Sequence, residues 1–356
     1  MSNTTSSHSS TSSSTSSASS TSSTSLFPPI PAPLQRLFDA VPLATYPENA
    51  LPGDESLTED GSADAPNTDV DHTDRLPTLH VFIDPADAAR GRASFNPTCL
   101  KWQTYLRFAG IPVRTITSSN HASPTGALPF LQPARNRAIP TGTTTSARQL
   151  PSRPISASDF PAWVAKTATS SSAPPATLRD HARAAAYQSL LDSSLRRAWL
   201  HAVYLDEPRD RQGKKGPPMA VRLYAHAASA STLVRMALAR QLYTAAAAEV
   251  WGSQQNLSRA TPKATAQIYR DAESALAALA TVLGGDEFFF GSAEPTLFDA
   301  AVFSYTHLLL EDADDNDGAA PRLPWQNCVL PDMVRAHPQL VQHRDRIVAK
   351  YWTTRA

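Results

Sequence analysis

The chain has 356 residues, room for two ordinary domains, and its 32 basic and 32 acidic side chains cancel. That balance speaks against a nucleic-acid binder and against a polybasic membrane anchor. Two cysteines far apart in sequence, Cys99 and Cys328, allow one bridge at most and point to a reducing compartment. No uninterrupted apolar run reaches the roughly 18 residues that a spanning helix needs. The best stretch, 297–310, contains Asp299 and His307 and reads as a buried helix.

Residues 1–25 are almost wholly Ser and Thr, with no Arg or Lys before Arg36. A presequence would be Arg-rich and amphipathic and a secretory signal would have an apolar core, so a disordered tail is predicted. Residues 26–75 form a second region. Its first part mixes prolines with Leu34, Leu37, Phe38 and Val41. It reads either as a segment packed back onto the domain or as an arm that docks on a partner. Residues 54–75 turn acidic and polar, as a linker does.

A folded domain is predicted over 76–175. LHVFIDP at 79–85 is strand-like. A helix follows, with Asn96 as its N-cap, Pro97 at the first helical position and Gly110 as its left-handed stop. Leu100, Gln103, Leu106 and Ala109 share one face, widened by Trp102, Tyr105 and Phe108. Pro112 forbids resumption of the helix, and 113–117 returns to β-branched composition. A parallel β-α-β unit is the economical reading. Pro129, in SPTGALPFL, cannot donate to a sheet ladder and is expected at an edge or a strand start. Sequence leaves its peptide bond open between cis and trans. Residues 135–152 read as a loop, 154–166 as a short helix presenting Phe160, Trp163 and Val164, and 167–175 as the domain boundary.

Helices dominate 176–356. The stretch 184–205 places Tyr187, Leu191, Leu195, Trp199 and Val203 on one stripe, and a basic loop, 208–218, ends it. Residues 220–251 are Ala-rich and suit one helix or a pair. Pro262 opens another helix carrying Ile268, Ala272, Leu276 and Leu279, which Gly284 and Gly285 stop. Thr296 followed by Asp299 is a capping-box arrangement, for which loss of either side chain is predicted to cost about 1 kcal/mol. The run EDADDND at 311–317 lacks the spaced ligands of a calcium loop and reads as solvated. A closing helix is predicted over 337–351.

FNPTCLKWQTYLRFAGIP and NHASPTGALPFL, followed by FFGSAEPTLFDAAVF in the same order, resemble the glutathione-transferase fold. That resemblance covers about 79–131 and 184–310. It implies a thioredoxin-like α/β domain, with a cis proline at the Pro129 position shaping a ligand groove, followed by an all-α domain. More narrowly, these motifs together with QSLLDSSLRRAWLHAVYL are similar to the metaxin family. That likeness implies a non-enzymatic, peripheral subunit on the cytosolic face of the mitochondrial outer membrane. Its implied partners are the barrel-forming core subunit of the sorting and assembly machinery, a second metaxin-like subunit, and β-barrel precursors whose sorting signal it recognises.

The competing class is an enzyme. A thiol in the first turn of a helix can be a nucleophile, so Cys99 is the candidate for a glutathione-dependent transferase or thiol oxidoreductase. Against it, Cys99 lies past the cap, has no partner cysteine, and has Lys101 but no histidine nearby. A glutathione site also places an acidic-Ser pair after the special proline, at a helix N-terminus that holds an anion. Here Phe130 is followed by Leu131, Gln132 and Pro133. No HExxH, GxSxG, Walker loop or GxGxxG occurs and the ten histidines are scattered, so no metal, cofactor or catalytic residue is predicted.

Overall fold

A computed structural model describes residues 76–134, 153–167, 182–207, 215–225, 231–252, 261–310, 323, 325 and 327–352. The Ser/Thr tail, the arm with Leu34, Leu37, Phe38 and Val41, and the acidic run 311–317 lie outside them.

Four strands make one sheet in the order β2-β1-β3-β4. They are β1 Thr78–Val81, β2 Arg114–Thr117, β3 Phe130–Gln132 and β4 Ile155–Ser156. β1 runs parallel to β2, with Thr78 opposite Arg114, and antiparallel to β3, with Leu79 opposite Leu131. β3 pairs antiparallel with β4 through Leu131 and Ile155. The helix that makes the parallel pair possible is α2, Pro97–Phe108; a short helix, α1, Pro85–Ala89, precedes it. Asn96 caps α2 by accepting from Cys99 N–H at 3.1 Å, and Gly110 leaves it at φ 64°. A residue with a Cβ would be strained there.

α2 is buried on nearly every side. It carries two buried polar residues, Gln103 and Thr104. Gln103 is satisfied: Nε2 donates to the Arg92 carbonyl at 2.8 Å and Oε1 accepts from Ser94 N–H at 3.0 Å. At its far end Arg107 donates to the carbonyls of Tyr351 and Gly91 and lies 3.9 Å from the centre of the Trp352 ring. Tyr351 and Trp352 are thereby held against α2.

Residues 154–166 are not simply a short helix. They begin as β4, and α3, Phe160–Thr167, follows, burying Phe160 and Val164 and leaving Trp163 half-buried. Two residues carry no alternation, so the strand had no periodic signature.

The second half is helical. Its first helix, α4, runs through Ala182–Leu190, Leu191–Leu195, Arg196–Leu200 and His201–Leu205, the second and fourth segments being π turns. The expected 220–251 region is a π turn, Val221–Ala225, and a separate helix α5, Thr232–Trp251. α6, Pro262–Leu283, carries Thr261 as N-cap and ends at Gly284 with φ 55°. α7, Leu297–Leu310, is buried along its whole length after Leu297 and packs against α2. α8, Val329–Arg335, and α9, Pro338–Ile347, complete the bundle. Among the described residues no helix is long and apolar enough to cross a membrane.

Candidate functional site

In a domain of this topology the first long helix begins beside the strand that follows the special proline. Here the Leu128–Pro129 bond is cis and lies immediately before β3. The first turn of α2 opens at Pro97 behind its N-cap, Asn96. Asn96 uses both ends of its amide: Oδ1 caps the helix and Nδ2 donates to the Tyr224 hydroxyl at 3.0 Å. The Tyr224 ring meets Phe82 and Phe95 edge-on at 5.1 and 5.3 Å and stacks on Tyr204 at 5.7 Å. The second half of the chain thus sends an aromatic plug into the mouth of the first.

Cys99 lies beneath that plug with 0% of its surface exposed. Burial pushes its thiol up to about 12, and hydrogen bonds with the Phe82 backbone and Ser94 offset only part of that effect. A thiol in this state holds almost no thiolate at neutral pH. Burial also drives Tyr224 well above the ordinary tyrosine range. β3 runs from Phe130, stacked on His80 at 4.0 Å, to Gln132; Pro133 and Ala134 follow it and are not helical, and residues 135–152 lie outside the described ones.

Because Asn96 serves both α2 and Tyr224, Asn96→Ala is expected to cost about 1–2 kcal/mol, at the upper end of ordinary cap losses. Urea melts check this. Tyr224→Phe should retain the cap and cost less.

A second concavity runs beside β2. It encloses about 780 Å³ and is lined by Leu76, Ala88, Ile111, Val113 and Ile116, with Arg107 at one side. Among the described residues β2 is the outermost strand on its side of the sheet. Arg114 N–H donates to the Pro77 carbonyl and Ser118 N–H to the Val81 carbonyl, which fixes the phase of the ladder. Thr115 and Thr117 therefore turn their backbone groups away from β1.

Residues 97–208 match the family model of the glutathione S-transferase N-terminal domain, and residues 272–347 match that of the C-terminal domain. The chain is a glutathione-transferase-like protein. Solved structures with this fold include a glutathione S-transferase of Methylobacterium radiotolerans in complex with glutathione sulfonate. It is 17% identical over 77% of this chain and 91% of that one, with a TM-score of 0.38. Glutaredoxin 2 of Salmonella typhimurium, in complex with glutathione, is 15% identical over 79% and 96%, with a TM-score of 0.41. A glutathione S-transferase of Ceriporiopsis subvermispora, in complex with glutathione, is 13% identical over 78% and 99%, with a TM-score of 0.44. No curated protein sequence matches the chain.

Within this glutathione-transferase-like frame the motif residues divide into two groups. Asn96, Pro97 and Pro129 lie in the first domain, the first two at the start of α2 and the third immediately before β3. Thr296 and Asp299 lie in the second, at the start of α7. Thr296 Oγ1 accepts from Asp299 N–H at 3.3 Å while Asp299 Oδ2 accepts from Thr296 N–H at 2.9 Å, a reciprocal cap. Asp299 does more than cap. Its Oδ1 also accepts from Phe289 N–H at 2.9 Å and lies 3.0 Å from His343 Nε2, with both side chains fully buried. The expectation that Thr296 and Asp299 are energetically equal is therefore corrected: Asp299 joins three segments and Thr296 only one. The sequence reading missed Tyr224, since nothing in 220–225 signals a contact with a cap 128 residues earlier. Among the described residues no cluster of His, Cys, Asp or Glu is arranged to hold a metal ion.

Proposed function

We propose that this protein is a non-enzymatic, peripheral subunit of the mitochondrial outer-membrane sorting and assembly complex. In this reading it faces the cytosol, binds the barrel-forming core subunit and a second metaxin-like subunit, and recognises the sorting signal of β-barrel precursors. The observation that carries the reading is the occupied mouth of the first domain. Where a thiol chemist of this fold would hold a peptide thiol, Tyr224, Tyr204, Phe82 and Phe95 fill the space, and Cys99 is sealed beneath them. The metaxin-like motifs at 95–112, 120–131 and 188–205 support the same reading.

The work that remains for such a domain is binding. The last strand of a barrel precursor carries unpaired backbone groups and alternating apolar side chains, and a sheet edge accepts it by strand addition. The outer edge of β2, with Thr115 and Thr117 facing outward over an apolar cavity, suits that role. The arm with Leu34, Leu37, Phe38 and Val41 is the segment assigned to docking on the barrel-forming subunit.

Immobilised glutathione tests the enzymatic alternative. The purified chain is expected to pass through unretained and to conjugate no glutathione to a standard electrophile. Retention together with turnover that vanishes in Cys99→Ser would replace this reading with a transferase.

A further inference from the structure

The cavity beside β2 has two guanidinium groups in an otherwise uncharged wall. Arg107 and Arg114 line it, and among the described residues that line it there is no carboxylate. The partners of Arg107 are neutral: the carbonyls of Tyr351 and Gly91 and the face of the Trp352 ring. Burial lowers its pKa, yet a guanidinium keeps its proton at neutral pH. A buried charge is ordinarily balanced by an opposite one, and here carbonyls and an indole stand in that place.

Both cations stand at one end of the strand edge. Arg114 is the first residue of β2, and Arg107 lies in the last turn of α2, the turn that leads through Gly110 to that same end. From there the edge runs to Thr117, and Thr115 and Thr117 turn their N–H and C=O groups away from β1. An alkyl chain filling the cavity would leave those backbone groups to water, whereas an extended peptide pairs with them. The anion that balances the guanidinium groups must then sit at the end of that peptide, beyond the last paired residue. A terminal carboxylate meets this condition. Because the cations stand where β2 begins, such a strand runs antiparallel to β2. Its last residue lies opposite Arg114, the second-last opposite Thr115 and the fourth-last opposite Thr117.

From this juxtaposition of an outward-facing strand edge, an apolar cavity and two guanidinium groups at one end, we infer that β2 accepts the free C-terminus of an extended polypeptide ending in a large apolar residue. The terminal carboxylate meets Arg114, with the charge of Arg107 behind it, and the last side chain enters the cavity. The inference rests on the strand-acceptor part of the function proposed for β2 and adds to it the requirement for a chain end.

Fluorescence anisotropy tests it, with the full-length protein and a short dye-labelled peptide in which Thr and Val alternate and Phe is last. The free acid is expected to bind about ten-fold or more tightly than the same peptide closed by an amide or continued by a Gly-Ser extension. Methylating the nitrogen of the second-last residue, which faces Thr115, should abolish binding. Methylating that of the third-last residue, which faces away from β2, should change it by about two-fold at most. Arg114→Gln should remove the preference for the acid, and Arg114→Lys should retain part of it. Equal binding of acid, amide and extended peptide overturns the requirement for a chain end and leaves strand addition standing. Equal losses from the two methylated peptides, or no binding of the free acid, overturn the pairing with β2. Dodecanoate bound where the peptide fails would make the cavity a site for small carboxylates instead. None of these outcomes depends on where in the cell the protein resides, so they are separable from the sorting-complex reading.

Discussion

Asp299→Ala is expected to destabilise the protein by about 3–5 kcal/mol, the range for removing one member of a buried, hydrogen-bonded pair. The carboxylate accepts from Phe289 N–H, Thr296 N–H and the Thr296 hydroxyl and lies against His343 Nε2, so alanine strands several buried groups at once. Thr296→Ala should cost only about 1 kcal/mol, since the Phe298 and Asp299 amides lose one capping oxygen. The double variant should be less than additive, because the two side chains share the cap. Urea unfolding of the three variants measures all of this. Equal losses for the two single variants would mean that the link from α7 to His343 and Phe289 contributes little.

The second large effect is acid lability centred on His307. Its ring is buried between Phe303, at 4.9 Å, and Trp352, at 6.3 Å. Burial first, and the Arg344 charge second, lower its pKa to about 3. An unfolded histidine titrates near about 6.5, so below that pH the unfolded chain binds a proton that the folded chain refuses. Stability from this group is complete above about pH 6.5 and is lost progressively as pH falls toward 3. At pH 5 the loss relative to neutral pH is about 2 kcal/mol. His307→Phe retains an aromatic ring in the stack and cannot titrate. Its stability between pH 7 and 5 should therefore fall by about 2 kcal/mol less than that of the parent, the carboxylates being common to both. Parallel pH curves would mean that the ring is protonated in the folded state.

The local grammar of this fold was legible wherever one residue type does one backbone job. Asn96, Pro97 and Gly110 bracket α2, and Pro262 and Gly284 bracket α6, because caps and left-handed stops are written within a few positions. The apolar stripe of 184–205 was equally plain, but its two π turns were not, since one extra residue per turn leaves the stripe readable. β4 was hidden by its two-residue length. What escaped entirely was contact across the chain. Asn96 and Tyr224, or Asp299 and His343, meet only after folding, and neither pair shares a local pattern. The same holds for α5. Residues 220–251 read only as Ala-rich and suited to one helix or a pair, and the structure shows that Leu233 and Met236 in the first half of α5 are exposed. The candidate site was therefore half visible: Cys99 and Pro129 stood out, while the aromatic plug that changes their meaning did not.

The central claim is that this glutathione-transferase-like frame serves as a receptor subunit at the mitochondrial outer membrane. Fractionation of intact mitochondria with chemical cross-linking tests it most directly. The account predicts that the protein pellets with the outer membrane, is digested by protease added outside, and cross-links both to the barrel-forming subunit and to an arriving β-barrel precursor. It also predicts that alkaline carbonate releases it at least in part. Recovery in the cytosolic fraction, with no cross-link to either partner, would contradict it.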